Sequence, residues 1–334
     1  MILVTGATGF LGSHLMIELI KSGNKIIALK RKLSSINNTA EIFSFYGLDL
    51  NKCDQIIWET ADITDYFSME DLFTKYHFEE VYHCAGMVSF ESKNHDLLQE
   101  VNCKGTAHLV NLSIFSGTNK FCYFSSVAAI PINKNEKIVT ESSKWKYSPQ
   151  LTSYSISKYS GEREVWRGIQ EGLNALIVNP SVIIGPGCWN SGSGKIISEA
   201  KKRMKFYTSG GSGVVDVRDV IKISVELMKK NIFGERFILN AKNILYKDLF
   251  TLANNCFGHK PPGIEVSKFQ YRLAYQAERF LSVFNGKKTI LEDEFLKSGF
   301  SVTKYSSEKI EKRLEYQFIQ PLESMTWACS NYSF

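Results

Sequence analysis

The sequence predicts an α/β fold in which helices wind around both faces of a parallel sheet. Three observations lead there. Short apolar runs alternate with stretches of helical periodicity up to about residue 180, the order that builds β-α-β units. The first run, Met1-Ile2-Leu3-Val4, passes straight into glycines at 6, 9 and 12 and then into a helical pattern at Leu11, Leu15, Leu19 and Ile20. The chain has 334 residues, 44% of them apolar and 22% charged, enough for one large domain or two unequal ones and unlike a disordered chain.

Taken in order, the elements acquire functions. In the turn Thr5-Gly6-Ala7-Thr8-Gly9-Phe10-Leu11-Gly12, the first glycine permits a tight turn and the second lets the backbone approach a pyrophosphate. The third lets helix and strand pack closely, with the helix N-terminus facing the phosphates. The spacing is G-x-x-G-x-x-G, not the G-x-G-x-x-G of most dinucleotide dehydrogenases. The second run, residues 25–29, ends on Lys30-Arg31-Lys32, where a carboxylate would bind a ribose 2′-hydroxyl and select NAD. Three cations can instead neutralise a 2′-phosphate, so NADP(H) is expected, with Arg31 its foremost ligand and NAD(H) the alternative. The third run, 55–60, leads to Asp62-Ile63; the fourth, 80–84, to Ala85-Gly86; the fifth, 120–124, to Ser125-Ser126. Tyr154 and Lys158, four apart on a predicted helix, share one face. An ammonium beside the phenol would lower its pKa from about 10 toward the range of acid–base chemistry at neutral pH. A sixth run, 174–178, continues into Asn179-Pro180-Ser181-Val182, and after Pro186 the pattern loosens into a Gly/Ser-rich loop at 189–195.

TGATGFLG at 5–12, Asp62-Ile63, His83-Cys84-Ala85-Gly86, Phe124-Ser125-Ser126 and Tyr154 with Lys158, in this order and spacing, resemble an extended short-chain dehydrogenase/reductase of the NAD-dependent epimerase/dehydratase superfamily. Residues 179–187, 210–220 and 305–309 resemble later stretches of that family, so the likeness spans nearly the whole chain. The Asn-Pro segment and the run at 210–219 look most like the dihydroflavonol-4-reductase-like and 3β-hydroxysteroid-dehydrogenase-like branch. The resemblance implies a Rossmann-type doubly wound parallel sheet over residues 1–180, rejoined by late strands from about 210–240, and a smaller interleaved lobe, mainly substrate-binding, over 181–334. It implies an oxidoreductase interconverting a ketone or aldehyde with an alcohol: Tyr154 gives the proton, Lys158 holds the nicotinamide ribose, and Ser126, favoured over the neighbouring Ser125 by the register from the fifth strand to Ala128-Ala129, holds the substrate oxygen. Gly6, Thr8, Gly9, Phe10, Leu11, Gly12, Arg31, Ala85, Gly86, Asn179, Pro180 and Val182 would line the cofactor. Asp62 would hold the adenine amino group with Ile63 packed beside it, and Asn102 would have a structural or proton-relay role.

Two other readings share this fold. A nucleotide-sugar epimerase or dehydratase uses the same tyrosine and lysine, but Val127-Ala128 stands where a dehydratase carries Asp-Glu, and Gly211-Ser212-Gly213 where an arginine often clamps a sugar diphosphate. A non-catalytic dinucleotide sensor would have lost Tyr154 or Lys158, and both are present. His83 and His95 lack metal-ligand spacing and no G-x-S-x-G occurs, so neither a metal centre nor acyl transfer is expected. The net charge of +6 suits an anionic cofactor, and no basic stripe with interleaved aromatics argues for nucleic acid. Lys201-Lys202-Arg203 with Lys205 reads as a solvated helix face, the alternatives being a phosphate or membrane site. Seven scattered cysteines without C-x-x-C read as reduced thiols. No secretory signal precedes the first strand and no apolar run nears the ~20 residues needed to span a bilayer, so a cytoplasmic protein is expected. Val182, Trp189, Phe206 and Tyr207 suggest an apolar or aromatic small-molecule substrate, and a homodimer is left open. Phe269, Leu273, Ala277, Phe280, Leu281 and Phe284 repeat at helical spacing, which predicts lobe core, with a hydrophobic lid or membrane-surface helix as alternatives.

Overall fold

The computed structural model describes residues 1–130, 137–149, 151–285 and 291–332, and of 281–285 the backbone alone. Seven strands form one parallel sheet: β1 (Ile2–Thr5), β2 (Ile26–Lys30), β3 (Ile56–Thr60), β4 (Glu80–His83), β5 (Lys120–Phe124), β6 (Ala175–Pro180), and a last one that is β10 in chain order (Arg236–Leu239). Between β6 and β10 lie β7 (Val182–Ile184), β8 (Phe206–Tyr207) and β9 (Gly211–Asp216); after it come β11 (Lys242–Leu245) and β12 (Ile264–Glu265). The large sheet runs β10-β6-β5-β4-β1-β2-β3, so the order reverses between β1 and β4. Two-residue alternation divides its side chains between two cores. Ile2, Val4, Ile26, Ala28, Tyr82, Cys122 and Phe124 pack under the helices Phe10–Lys21 and Val217–Lys229. Leu3, Ile27, Leu29, Val81, Phe121 and Tyr123 pack on the other face, against the helices Tyr66–Lys75, Gly105–Phe115 and Ser153–Gln170. Burial on both faces explains why these strands read as continuous apolar runs.

Of the late strands expected to rejoin the large sheet, β10 does so, pairing with β6 from Arg236↔Ile177 to Leu239↔Pro180. The run Gly211–Asp216 does not. It pairs with β7 and β11 in a separate three-stranded sheet, because Val214 packs into a third core with Ile184, Leu249 and Met325. The remaining pair, β8 with β12, stands at the surface.

The helix Lys268–Asn285 differs most from expectation. Tyr271 is buried, but Phe269, Leu273 and Phe280 are 68%, 54% and 66% exposed and Ala277 is exposed too, so this face is not lobe core. Tyr271 points the other way, packing against Phe295 and edge-on to Phe300 and donating to the Glu292 carbonyl, and that leaves the apolar stripe outside. The side chains of Leu281 and Phe284 lie outside the described residues. No helix among the described residues is long and apolar enough to cross a membrane.

Candidate active site

The site lies where the strand order reverses, at the carboxyl ends of β1 and β4. Gly6 turns the chain at φ +66°, and a Cβ there would stand 2.7 Å from the Ala85 nitrogen; a Cβ on Gly12 would stand 2.3 Å from the Gly6 carbonyl oxygen. The helix that follows starts at Phe10 with Gly9 as its cap, no side chain closing its N-terminus and no acid in its first turn. A backbone cradle open at the positive end of a helix fits an anionic pyrophosphate. At the end of β2, Arg31 and Lys32 are exposed, and none of Lys30, Arg31 and Lys32 forms an ion pair among the described residues. Asp62, beyond β3, accepts from the Thr64 nitrogen (3.0 Å) and hydroxyl (2.9 Å). Ile63 is buried against Gly105, where a Cβ would meet it at 2.8 Å.

A chain of hydrogen bonds fastens the two strand ends to the helices behind them. The Ala85 nitrogen donates to Thr5 Oγ1 (3.1 Å), Thr5 Oγ1 pairs with His83 Nδ1 (2.8 Å), and His83 Nε2 pairs with Thr106 Oγ1 (3.0 Å). Thr106 gives its one hydroxyl proton to the Asn102 carbonyl (2.7 Å), so His83 must donate through Nε2 and accept through Nδ1. Burial, with the Lys158 charge adding to it, holds this imidazole neutral, with its pKa down at about 3. Asn102 sits in a π-helical turn, Glu100–Lys104. Its amide brackets Met87, accepting from the nitrogen (2.8 Å) and donating to the carbonyl (2.9 Å), and also donates to Ser157 Oγ (2.9 Å). That geometry makes Asn102 a clamp between the Gly86-Met87 loop and the helix bearing Tyr154. Gly161 permits the close approach, since a Cβ there would lie 2.4 Å from the Asn102 carbonyl oxygen and 2.5 Å from Tyr123 Oη.

The helix Ser153–Gln170 begins where Thr152 Oγ1 accepts from the Ser155 nitrogen (3.0 Å), and it brings Tyr154 and Lys158 to the end of β5. Tyr154 packs edge-on to Phe90, ring centroids 5.9 Å apart. Ser126 accepts from the Ala128 nitrogen (3.1 Å), which caps the turn Val127–Ala129 and leaves its hydroxyl beside Tyr154. Lys158 is buried; it donates to the Phe124 carbonyl (2.8 Å) and lies 4.6 Å from the centroid of the Tyr123 ring. Burial lowers its pKa to about 8, opposed by the Glu162 carboxylate. The expected depression of the tyrosine is not found. Burial raises the Tyr154 phenol, with only the Ser126 hydroxyl working against it, because the ammonium is turned to the strand end.

Ser125 and Ser126, adjacent in sequence, separate. Ser125 Oγ points away and donates to Glu162 Oε1 (2.6 Å), an acceptor shared with Asn179 Nδ2, which also donates to the Ser126 carbonyl (2.9 Å). Glu162 is 1% exposed, and its Oε2 lies 3.3 Å from Arg236 Nη1. Sequence reasoning missed this carboxylate. Its signal was there: Glu162 follows Lys158 by one helical turn, so it must share the buried face. Glu294 was missed as well, and no local pattern marks it. It is 3% exposed and accepts from the Ser153 nitrogen (2.7 Å) and hydroxyl (3.1 Å), holding the start of the helix from a distant part of the chain. Pro180 is buried in β6 and Val182 half-buried in β7. Trp189, expected near substrate, instead donates to Glu41 (2.9 Å) and packs between Phe45 and Tyr332. Phe206 and Tyr207 form β8, paired with β12.

A glycine cradle at the switch point of a doubly wound sheet, facing a buried lysine one turn from a tyrosine, defines a dinucleotide-dependent enzyme. Residues 2–238 match the NAD dependent epimerase/dehydratase family, and the chain belongs to that family. It is 29% identical over 270 residues to sterol demethylase protein B of Methylococcus capsulatus, covering 79% of this chain and 76% of that protein. It is 28% identical over 268 residues to a putative dihydroflavonol 4-reductase of Synechocystis, covering 78% and 73%. A UDP-glucose 4-epimerase structure from Thermotoga maritima, solved with UDP-glucose, shares the fold at TM-score 0.76 and 20% identity, with 99% of this chain and 97% of that one covered. The protein is thus an NAD(P)-dependent enzyme of the extended short-chain dehydrogenase/reductase type.

Proposed function

We propose that the protein is an NADP(H)-dependent oxidoreductase that interconverts an apolar or aromatic ketone or aldehyde with its alcohol. The observation that supports this reading over a dehydratase is the turn after Ser126. Val127 and Ala128 stand there, Val127 buried, and neither can deliver or remove the second proton that water elimination requires. Gly211-Ser212-Gly213 at the start of β9 stands where an epimerase often carries its sugar-diphosphate arginine. The exposed Arg31 and Lys32 beside the unneutralised Lys30 supply the preference for a 2′-phosphate.

The residues divide the work as follows. The glycine cradle and the N-terminus at Phe10 and Leu11 hold the pyrophosphate, with Asp62 and Ile63 at the adenine end and Ala85, Gly86, Asn179, Pro180 and Val182 along the nicotinamide half. Bound there, the nicotinamide supplies the hydride. Ser126 Oγ donates to the substrate oxygen and keeps it against Tyr154. The phenol proton moves to that oxygen in reduction and returns in oxidation. A phenol raised by burial holds its proton firmly before reaction, with the Ser126 hydroxyl favouring its ionised form, and Lys158, whose Nζ lies beside Gly86, holds the nicotinamide ribose.

The test is a turnover screen of aldehydes and ketones with NADPH and NADH, run beside epimerisation of UDP-hexoses. Reduction of aromatic or aliphatic carbonyls supports the reading. Interconversion of UDP-sugars without carbonyl turnover replaces it with the epimerase reading.

A further inference from the structure

We propose that the outer face of the helix Lys268–Asn285 is a docking surface for an anionic lipid bilayer, on which the protein lies without spanning it. This inference is independent of the reaction proposed above.

The contacts given for the helix among the described residues hold its start and the side bearing Tyr271 and Glu278. Ser267 and Gln270 cap its start reciprocally: Ser267 Oγ accepts from the Gln270 nitrogen (3.2 Å), and Gln270 Oε1 accepts from the Ser267 nitrogen (2.9 Å). Tyr271 is buried, and Glu278 Oε2 accepts from the Leu291 nitrogen (2.9 Å). At 100° per residue these two positions face the body of the protein, and Phe269, Leu273, Ala277 and Phe280 fall on the opposite side. Three large apolar side chains, each more than half exposed and in line on one helix, are more than scattered surface hydrophobics.

Charge decides what covers them. Lys268, Arg272 and Arg279 lie in a second row along one flank of the apolar stripe, and the one acid between 268 and 280, Glu278, is turned inward. An apolar stripe with a basic row along one flank and no outward acid between 268 and 280 matches the acyl–headgroup boundary of an anionic membrane. It does not match a second copy of the chain. In an antiparallel two-fold pairing each flank meets its own copy, which would set the basic row against itself. Four residues before the helix, Ile264 pairs with Phe206, and these side chains are 51% and 57% exposed, with Lys205 exposed beside Phe206. The strand pair therefore extends the apolar surface next to the helix, with Lys205 and Glu265 both exposed at its edge.

The experiment is cosedimentation of the full chain with vesicles of phosphatidylcholine, with and without about one-third phosphatidylserine. Binding should appear with the serine lipid and weaken as salt rises. Phe269→Ser combined with Leu273→Ser should abolish it, and Lys268→Glu combined with Arg272→Glu should weaken it at least tenfold. All four positions are exposed and outside the active site, so unchanged melting and unchanged turnover of a water-soluble carbonyl show that the variants fold. Failure of the unmodified chain to bind serine-lipid vesicles overturns the proposal, as does equal binding by the variants. Light scattering covers the rival: a dimer that the Phe269→Ser, Leu273→Ser variant dissociates, without lipid binding, makes this face a self-association surface and overturns the proposal too.

Discussion

Replacing Glu162 separates its two tasks. The buried carboxylate accepts from Ser125 and Asn179 and faces the half-buried Arg236 guanidinium. Glu162→Ala strands both donors and removes the countercharge. Breaking a buried pair costs about 3–5 kcal/mol, and the low end applies because Arg236 keeps the Glu141 and Ser143 carbonyls. The expected loss is therefore about 3 kcal/mol in urea unfolding. Glu162→Gln keeps the shape and the acceptor oxygen but removes the charge that supports Lys158. Opposite charges one helical turn apart, roughly 6 Å, interact by about 2–3 kcal/mol at an effective dielectric near 20. With Lys158 at about 8 in the unmodified chain, that support is worth about one to two pH units. The alkaline limb of kcat/KM should move down by that amount, so activity lost at pH 7 returns on acidification. An unmoved limb in Glu162→Gln, together with a stability change below about 0.5 kcal/mol in Glu162→Ala, would refute the reasoning.

Three further outcomes follow from the site. Tyr154→Phe should abolish turnover, since the phenol proton is gone, yet leave NADPH affinity within a few-fold by fluorescence titration; near-normal kcat would remove Tyr154 from the mechanism. NADPH should bind at least about tenfold more tightly than NADH, and Arg31→Ala should erase most of that difference, which equal affinities in the unmodified chain would contradict. His14 is buried between Tyr46 and the Pro186 carbonyl, and burial lowers it from 6.5 to about 4. Its unfolded form takes up a proton first, so its stability contribution is complete above pH 6.5 and about 3 kcal/mol is lost as pH falls through 4. Urea midpoints at pH 7 and pH 4 should differ less in His14→Gln, and an unaltered difference would sink the assignment.

The order of strands and helices and the position of the dinucleotide cradle were legible in the sequence, because both depend on local chemistry. Apolar runs alternate with helical periods, and Gly6 and Gly12 stand where a Cβ would not fit, with Gly9 in tight contact between them. Tyr154 and Lys158 share a helix face by spacing alone. Tertiary structure decided whatever depends on the environment of a side chain. Tyr154 and Lys158 both have the pKa that burial imposes, because the ammonium is engaged by the Phe124 carbonyl and not by the phenol. Register favoured Ser126 over Ser125, but the partner that takes Ser125, the Glu162 carboxylate, came only with the tertiary structure. Periodicity marked an apolar stripe on the helix Lys268–Asn285 but could not say which way it points; Tyr271 and the capping contacts rotate it outward. Glu294 and Ser153, 141 residues apart, meet only because the chain returns over the site, and no local pattern encodes that return.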